Sequence, residues 1–542
     1  MPYAYCMPGY TFLLSRFLAP CLLTSYLIGC DITLPSTEPS TPSSGRLVPS
    51  LPPITAPFVY EVPDKQTNWE GYNGTYLYDK VIGPTSVQES SSLQIEIRKD
   101  YGASLQIYDK VTKQQLINFK DLGRESGMSS YGGPVSFSDD SPDWKGIGYN
   151  PLQAGDYGGH PSPILFHGNI NGWMYTKAQC LSWAHKDARK LPFFYEQWVR
   201  LDDNKVHVKV RLTHQRPDKT FYEPRSQEWP FMMINGARTI RFYNGANPFT
   251  YDKTTVTNAI ESDSTRNTVY RGQAFGLTEP WQAIEIGTNR FVGLYSPGYF
   301  LGNYNVDNIA ANESWEGGNT LTYITNSPLV HLDSDNVWYK EYTYIVGTEQ
   351  EIRDYVYAQE RSTKPDFFFN AFNGRSGWVI FDGGYDQKEP FTSDNWQATL
   401  TGTNQNAYNA KLMSPFGSWK TSDFNTIYIR MAYTGVPGAG AQVPLRLTWL
   451  LNGQAPDGTD TKAPNQSKVR FPNGIRNRDE QTIPLTVIND GQFHTYKISF
   501  ANQPKWSGIV QHFEIGHPFA ATYVTPGEKL VMNYFGFRNP GN

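Results

Sequence analysis

Apolar and polar residues alternate with a period of two along much of the chain after residue 58. Residues 93–97 (LQIEI) and 206–212 (VHVKVRL) each put their apolar side chains on one face of an extended segment. Residues 291–295 (FVGLY) form a more continuous apolar run, and helical spacing is limited to a turn or two near residues 349–360. The pattern predicts an all-β protein whose large antiparallel sheets pack face to face.

A second β region is predicted after a boundary at residues 361–365 (RSTKP). Strand-like runs resume at residues 367–369, 445–449 and 496–500, with turn residues between them. This spacing favours a jelly-roll sandwich. We therefore predict two folded parts: a β-sandwich domain over residues 58–362, expected to be catalytic, and a jelly roll over residues 366–542. The order of the motifs at residues 373–378 (NGRSGW), 428–431 (YIRM) and 491–496 (GQFHTY) resembles carbohydrate-binding jelly rolls, so the second part is expected to be carbohydrate-binding-like.

The first 57 residues read as a targeting segment and a tether. An apolar run at residues 17–29 follows Arg16 and is too short for a permanent membrane span. It ends in Leu27-Ile28-Gly29-Cys30, which resembles a bacterial lipobox whose cysteine takes the lipid. Residues 31–57 are rich in Ser, Thr and Pro, as extended linkers are. We predict an extracytoplasmic lipoprotein at the cell surface or in the periplasm, the alternative being a plain secretory signal.

Composition removes several classes of function. The 542 residues carry a formal net charge of −4, so binding to a nucleic-acid backbone is not expected. Of four cysteines only Cys180 lies beyond the predicted signal segment, which excludes a disulfide framework and favours a packing role. No zinc, Walker or Rossmann motif occurs, so no cofactor is expected; a structural Ca²⁺ stays open because it needs only oxygen ligands.

Three clusters between residues 121 and 230 combine turn residues with charged and aromatic ones. They are residues 123–134, 150–160 and 227–230. Gly and Pro shape rigid loops, and the residues beside them supply hydrogen bonds and flat apolar faces. This mixture is typical of a site for a polar ligand with flat faces, such as a sugar.

Three carboxylates are candidate catalytic groups. Glu228 stands beside Trp229 and Pro230, where partial desolvation would suit a general acid, although an ion pair with Arg225 or Arg124 is an equal alternative. Asp156, between glycines, would be a base, a nucleophile or simply a turn-capping residue. Glu196 shares a strand face with Phe194 and Trp198, so an inward orientation would require a partner for its charge.

Five further residues are candidate substrate-binding groups. Arg124 would neutralise a uronate carboxylate or brace a turn, and Tyr131 or His160 would abstract a proton or serve as scaffold. Trp144 and Trp229 are candidate stacking platforms that compete with an ordinary role in the core.

The order of these motifs resembles a group of secreted bacterial β-sandwich proteins. The stretches are Asp121-Leu122-Gly123-Arg124, Tyr131-Gly132-Gly133-Pro134, the 150–156 run NPLQAGD and Gln227-Glu228-Trp229-Pro230. The group belongs to the galactose-mutarotase-like, or supersandwich, class associated with polysaccharide breakdown. The resemblance spans roughly residues 90–300 and implies a sheet architecture and a carbohydrate substrate.

Three functions follow as hypotheses. The first is a glycoside hydrolase in which Glu228 protonates the leaving oxygen and Asp156 activates water or attacks the sugar. The second is a polysaccharide lyase with Tyr131 or His160 as the base and Arg124 as the neutralising cation. The third is a surface lipoprotein that binds a glycan without turnover.

Overall fold

The structure is a computed structural model. It describes residues 84–118, 122–216, 222, 224–236, 238–257, 275–308, 320–332, 336–370, 375–381, 385–386, 395–400, 411–435, 438–452, 481–518 and 527–541. The chain divides into Met1–Tyr60, which lies outside those residues, and one compact unit, Glu61–Asn542. Among the described residues, no helix has the length and apolar character needed to cross a membrane.

A small antiparallel sheet opens the described chain. Its strands follow one another in sequence order, and alternate residues of β2 are buried, as the pattern of residues 93–97 predicts. The strands are β1 (Pro84–Glu89), β2 (Leu93–Arg98), β3 (Ser104–Asp109) and β4 (Gln114–Gln115).

A sheet of fifteen antiparallel strands follows. Its members and a separate two-stranded pair, β11 with β20, are β5 (Ser126–Ser129), β6 (Pro151–Leu152), β7 (Ile164–Ile170), β8 (Trp173–Ser182), β9 (Lys190–Asp202), β10 (Lys205–His214), β11 (Arg225–Ser226), β12 (Glu228–Asn235), β13 (Ile240–Phe242), β14 (Thr255–Thr257), β15 (Phe275–Gly276), β16 (Trp281–Gly287), β17 (Arg290–Tyr295), β18 (Leu301–Asn308), β19 (Thr320–Asn326), β20 (Leu329–Val330) and β21 (Asn336–Gly347).

The large sheet curls around a core. Its strand order is β14-β13-β16-β17-β21-β10-β9-β8-β6-β5-β12-β19-β18-β15, with β7 paired to β8. Although β16 and β19 lie near opposite ends of that order, Gln282 of β16 donates to the Thr325 carbonyl of β19 over 2.8 Å. We call the concave side, which holds the core, the interior face and the opposite side the outer face.

The small sheet covers the interior face of the large one. Leu93, Ile95 and Ile107 are buried in the same cluster as Val208 and Tyr344 from the large sheet. An ion pair fixes the two layers, because Arg290 donates to both oxygens of the buried Asp109 carboxylate over 2.7 Å. Two sheets facing each other across one apolar core form a β-sandwich, and the all-β prediction is confirmed.

The C-terminal strands form a second large sheet with its own core. Its twelve strands are antiparallel except where Tyr433 meets Asn489, and its core includes Trp378, Trp449 and Phe513. They are β22 (Asp366–Phe368), β23 (Val379–Phe381), β24 (Tyr385–Asp386), β25 (Trp396–Leu400), β26 (Lys411–Met413), β27 (Trp419–Lys420), β28 (Thr426–Thr434), β29 (Ala441–Leu451), β30 (Thr482–Asn489), β31 (His494–Ser499), β32 (Ile509–Gly516) and β33 (Lys529–Gly536). The jelly-roll assignment and its sugar-binding role stay predictions.

One α-helix, α1 (Glu349–Tyr357), is present among the described residues, where helical spacing is predicted. Thr348 caps it in a capping box with Glu351. Two 3₁₀ turns, Val135–Ser138 and Thr421–Asp423, complete the described helical structure.

The second sheet packs directly against the sandwich. Gln511 of β32 donates to the Leu277 carbonyl over 3.2 Å, and the buried His331 ring accepts from the Ile380 amide over 3.0 Å. A small apolar cluster joins Leu301 of β18 with Phe416 and Leu450 from the C-terminal sheet. These contacts leave a cavity at the junction.

Candidate functional site

The three polar and aromatic clusters of the sequence converge on adjacent strands. In the register of the sheet, Glu228 of β12 lies opposite Ser129 of β5, and Ser129 lies opposite Leu152 of β6. Side chains reinforce this pairing. Gln227 holds the backbone of Tyr131, accepting from its amide over 2.6 Å and donating to its carbonyl over 2.9 Å.

Glu228 is a half-buried carboxylate at the first residue of β12. Tyr323 of β19 donates to its Oε1 atom over 2.7 Å. Burial first, and then the charge of Glu228, raise the pKa of Tyr323 well above its usual value, so the phenol keeps its proton and acts as a donor. A donated hydrogen bond favours the charged form of a carboxylate. Arg225, considered as an ion-pair partner, instead donates to the Ile147 carbonyl over 2.8 Å.

A cluster of three half-buried aromatic rings lies on the same face. We call Trp144, Tyr157 and Trp183 the aromatic cluster; the Trp144 and Trp183 centroids are 4.6 Å apart, and those of Tyr157 and Trp183 are 5.4 Å apart. Trp183 packs against a cluster of apolar residues on the outer face, and Tyr323 is a member of that cluster. Strand β12 carries Glu228, and strand β8 leads into Trp183. The two strands are three strand spacings apart in the sheet, a distance of roughly 14 Å.

Cations border the aromatic cluster. The Arg124 guanidinium lies 5.9 Å from the centre of the Tyr157 ring, and the Lys186 ammonium lies 4.7 Å from it. Gly123 is needed here because its φ is +90° and an added Cβ would lie 2.2 Å from the Trp183 indole nitrogen. The glycine before Arg124 therefore lets the backbone approach the cluster.

Asp156 takes a different place from the one expected for a base or nucleophile. Its carboxylate is fully buried and accepts from the amides of His160 over 2.8 Å and Ala188 over 2.9 Å. The Nδ1 atom of the His160 ring lies 2.9 Å from the Oδ2 atom of Asp156. Asp156 and His160 thus brace the loop that carries Tyr157. This geometry matches the turn-capping alternative for Asp156 and the scaffold alternative for His160.

Glu196 is closed off by an ion pair. Arg211 donates from Nε to Oε2 over 2.7 Å and from Nη2 to Oε1 over 2.6 Å, and Tyr175 donates to Oε1 over 2.7 Å. The side chain is 2 % exposed. The prediction that a buried Glu196 needs a partner is confirmed, and the fork of Arg211 leaves the carboxylate no opening to a substrate.

Trp229 is a core residue and not a stacking platform. Its ring is fully buried, its indole nitrogen donates to the Ser130 hydroxyl over 2.9 Å, and it packs edge-on against Trp338. The carboxylate beside it reaches the outer face because the pairing of β12 with β5 shifts register between Glu228 and Phe231. Cys180 is buried in the core, which raises the pKa of its thiol.

Cys30, the predicted lipid attachment site, lies outside the described residues. Within the described ranges no group of three or more His, Cys, Asp or Glu side chains has the arrangement of a metal site.

Sequence reasoning missed Tyr323, Tyr157 and Trp183. Tyr323 is 95 residues from Glu228, and no local spacing joins them. Trp183 directly follows β8, which pairs with β6, and this position beside the 150–160 cluster is the signal that could have identified it.

The fold defines the class of protein: an all-β chain with a large curled antiparallel sandwich and a second β sheet. No protein-family model and no curated protein matches this chain. Among solved structures, a galactose mutarotase related enzyme from Lactobacillus acidophilus is similar with a TM-score of 0.29 and 11% identity, over 48% of this chain and 97% of that one.

Two other solved structures have comparable similarity. A putative aldose 1-epimerase from Escherichia coli K12 has a TM-score of 0.31 and 10% identity, over 48% of this chain and 98% of that one. An α-N-acetylgalactosaminidase from Bifidobacterium bifidum, in complex with GalNAc, has a TM-score of 0.31 and 10% identity, over 52% of this chain and 40% of that one.

Proposed function

We propose that this protein is a carbohydrate-active enzyme that binds a glycan along the outer face and transfers a proton at Glu228. One observation carries the proposal: a half-buried carboxylate, held by Tyr323, shares its sheet face with the half-buried aromatic cluster. Aromatic rings offer flat apolar surfaces to sugar rings, and a few fixed polar groups orient such a ligand.

Glycoside hydrolysis is the reaction we propose first. The Tyr323 hydroxyl donates to Glu228, an arrangement that suits a general base or a nucleophile better than a general acid. This reverses the role expected from sequence. A paired mechanism needs a second carboxyl group, about 5–5.5 Å away for retention or roughly 6.5–9.5 Å for inversion. Asp156 and Glu196 are engaged by their own partners, so neither is proposed for that role.

A polysaccharide lyase is the second candidate because of Tyr131 and Arg124. Gln227, next to Glu228 in the chain, holds the Tyr131 backbone, and Arg124 borders the Tyr157 ring. A tyrosine base can remove the proton next to a uronate carboxylate once a cation has neutralised it. His160 suits this role less well because Asp156 holds its ring.

A product analysis separates these reactions. The whole chain is incubated with neutral and acidic glycans, and products are identified by mass spectrometry. Hydrolysis adds the mass of one water per cut, whereas elimination adds none. Saturable binding without any product would instead identify a glycan-binding lipoprotein.

Glu228→Gln tests the residue assignment. We expect turnover to fall by about 10²–10⁴-fold, the range for loss of a general acid or base, with folding unchanged. Glu285→Gln, on β16, is the matched control and should keep full activity. Full turnover by Glu228→Gln would remove Glu228 from the mechanism.

We also propose, from the sequence alone, that the protein is extracytoplasmic and anchored through a lipid on Cys30. Cys30→Ser should move the protein from the membrane fraction to the soluble fraction of its host. Membrane association that persists in this variant would contradict the anchor.

A further inference from the structure

A cavity of about 280 Å³ lies where the sandwich meets the C-terminal sheet. Phe300 and Leu329 of the sandwich and Pro415 and Phe416 of the C-terminal sheet supply apolar walls. Lys340 on β21 also lines it. The size approaches the lower end of small-molecule sites, which occur preferentially between domains and at the mouths of curled sheets.

Lys340 belongs to the interior face, not to the face that carries Glu228. Trp338, Lys340 and Tyr342 are every second residue of β21, so their side chains share one face, and Trp338 and Tyr342 belong to the sandwich core. Its ammonium lies 4.9 Å from the centre of the Tyr299 ring and 5.6 Å from that of Trp229. No carboxylate among the described residues forms an ion pair with it. Aromatic faces attract a cation but do not neutralise it.

Tyr299 also lines this cavity. Its hydroxyl is buried and has no hydrogen bond to any described residue. Burial raises the pKa of Tyr299, so the hydroxyl keeps its proton, and burial lowers that of Lys340 to about 8, which leaves most of the ammonium charged at pH 7. A buried donor without an acceptor costs free energy.

We propose that this cavity binds a small carboxylate ligand of monosaccharide size, with its carboxylate against the Lys340 ammonium and the Tyr299 hydroxyl. One carboxylate matches one cation and one neighbouring donor, and the ring or chain of the ligand fills the apolar remainder. A phosphate dianion fits this chemistry less well because it would leave charge unpaired against apolar walls. The carboxylate could belong to a uronic acid or to an acid that is not a sugar.

Calorimetric titration of the whole chain tests the proposal with sodium glucuronate, sodium benzoate and glucose. We expect at least one of the two carboxylates to bind and glucose not to bind. The affinity should fall as the pH rises through about 8, because the Lys340 ammonium then loses its proton. Binding of benzoate but not of glucuronate would support the carboxylate class and reject a sugar acid.

Two variants locate the ligand. Lys340→Met keeps the apolar stem and should weaken carboxylate binding by about tenfold or more. Lys177→Met is the matched control, since its ammonium also lies over an aromatic ring, 5.5 Å from that of Phe194, but outside the cavity. Tyr299→Phe removes only the hydroxyl and should fold at least as stably, while weakening binding by several-fold.

Three results would overturn the proposal: glucose binding as tightly as the tighter-binding of the two carboxylates, unchanged carboxylate affinity in Lys340→Met, or no carboxylate binding at about 1 mM, the weak end of useful affinities. Glu228→Gln should leave carboxylate binding here unchanged. The cavity and the proposed activity can therefore fail separately.

Discussion

Glu196 and Glu228 stand on the outer face of the same sheet, each close in sequence to a tryptophan, yet their surroundings differ. Glu196 is enclosed by the fork of Arg211 and the Tyr175 hydroxyl and is 2 % exposed. Glu228 stands at a strand end, half-buried, and accepts from Tyr323. A carboxylate beside aromatic residues is therefore not enough to indicate chemistry. The role of such a carboxylate depends on whether neighbouring strands pair it with a cation and bury it, as at Glu196, or leave it partly exposed, as at Glu228.

The largest expected effect concerns Glu196, the enclosed carboxylate of this comparison. Glu196→Gln leaves Arg211 without its charged partner, and we expect a loss of about 3 kcal/mol in the free energy of unfolding. Urea denaturation measures it. The matched control is Glu89→Gln, which breaks the exposed Lys110–Glu89 pair and should cost less than about 1 kcal/mol.

The activity of the same variant sharpens the comparison. Folded Glu196→Gln should keep the turnover of the parent protein. If the variant unfolds no more easily than Glu89→Gln, the ion pair with Arg211 does not stabilise the fold. Loss of turnover in the folded variant would return Glu196 to the candidate catalytic residues.

The next effect concerns the brace beneath the aromatic cluster. Asp156→Asn removes the charge that accepts from the His160 and Ala188 amides, and we expect a loss of about 2 kcal/mol. Because that loop carries Tyr157, the near-ultraviolet circular dichroism of the cluster should change. In turnover assays the variant should raise KM more than it lowers kcat. A large fall in kcat with unchanged KM would restore Asp156 as a catalytic residue.

The smallest expected effect concerns Glu228, the more exposed of the two carboxylates. Tyr323→Phe deletes one hydrogen bond and should reduce stability by about 1 kcal/mol. Without this donor the charged form of Glu228 is less favoured, so the acidic limb of the pH–rate profile should move to higher pH. An unmoved limb would show that Tyr323 does not act through Glu228.

Local patterns in the sequence predicted much of the fold. The strands at residues 93–97, 206–212 and 291–295 and helix α1 occur where alternation or helical spacing placed them. The requirement that a buried Glu196 find a partner also followed from its strand face. These features depend on side-chain periods over a few residues, which any extended or helical backbone expresses.

Only the tertiary structure decided which polar groups are open. Asp156 is sealed by an amide 32 residues away, Tyr323 reaches Glu228 across 95 residues, and Lys340 meets its cavity where a second sheet packs against the first. The period of a strand fixes which residues share a face. It does not fix what covers that face, because the covering elements come from distant parts of the chain.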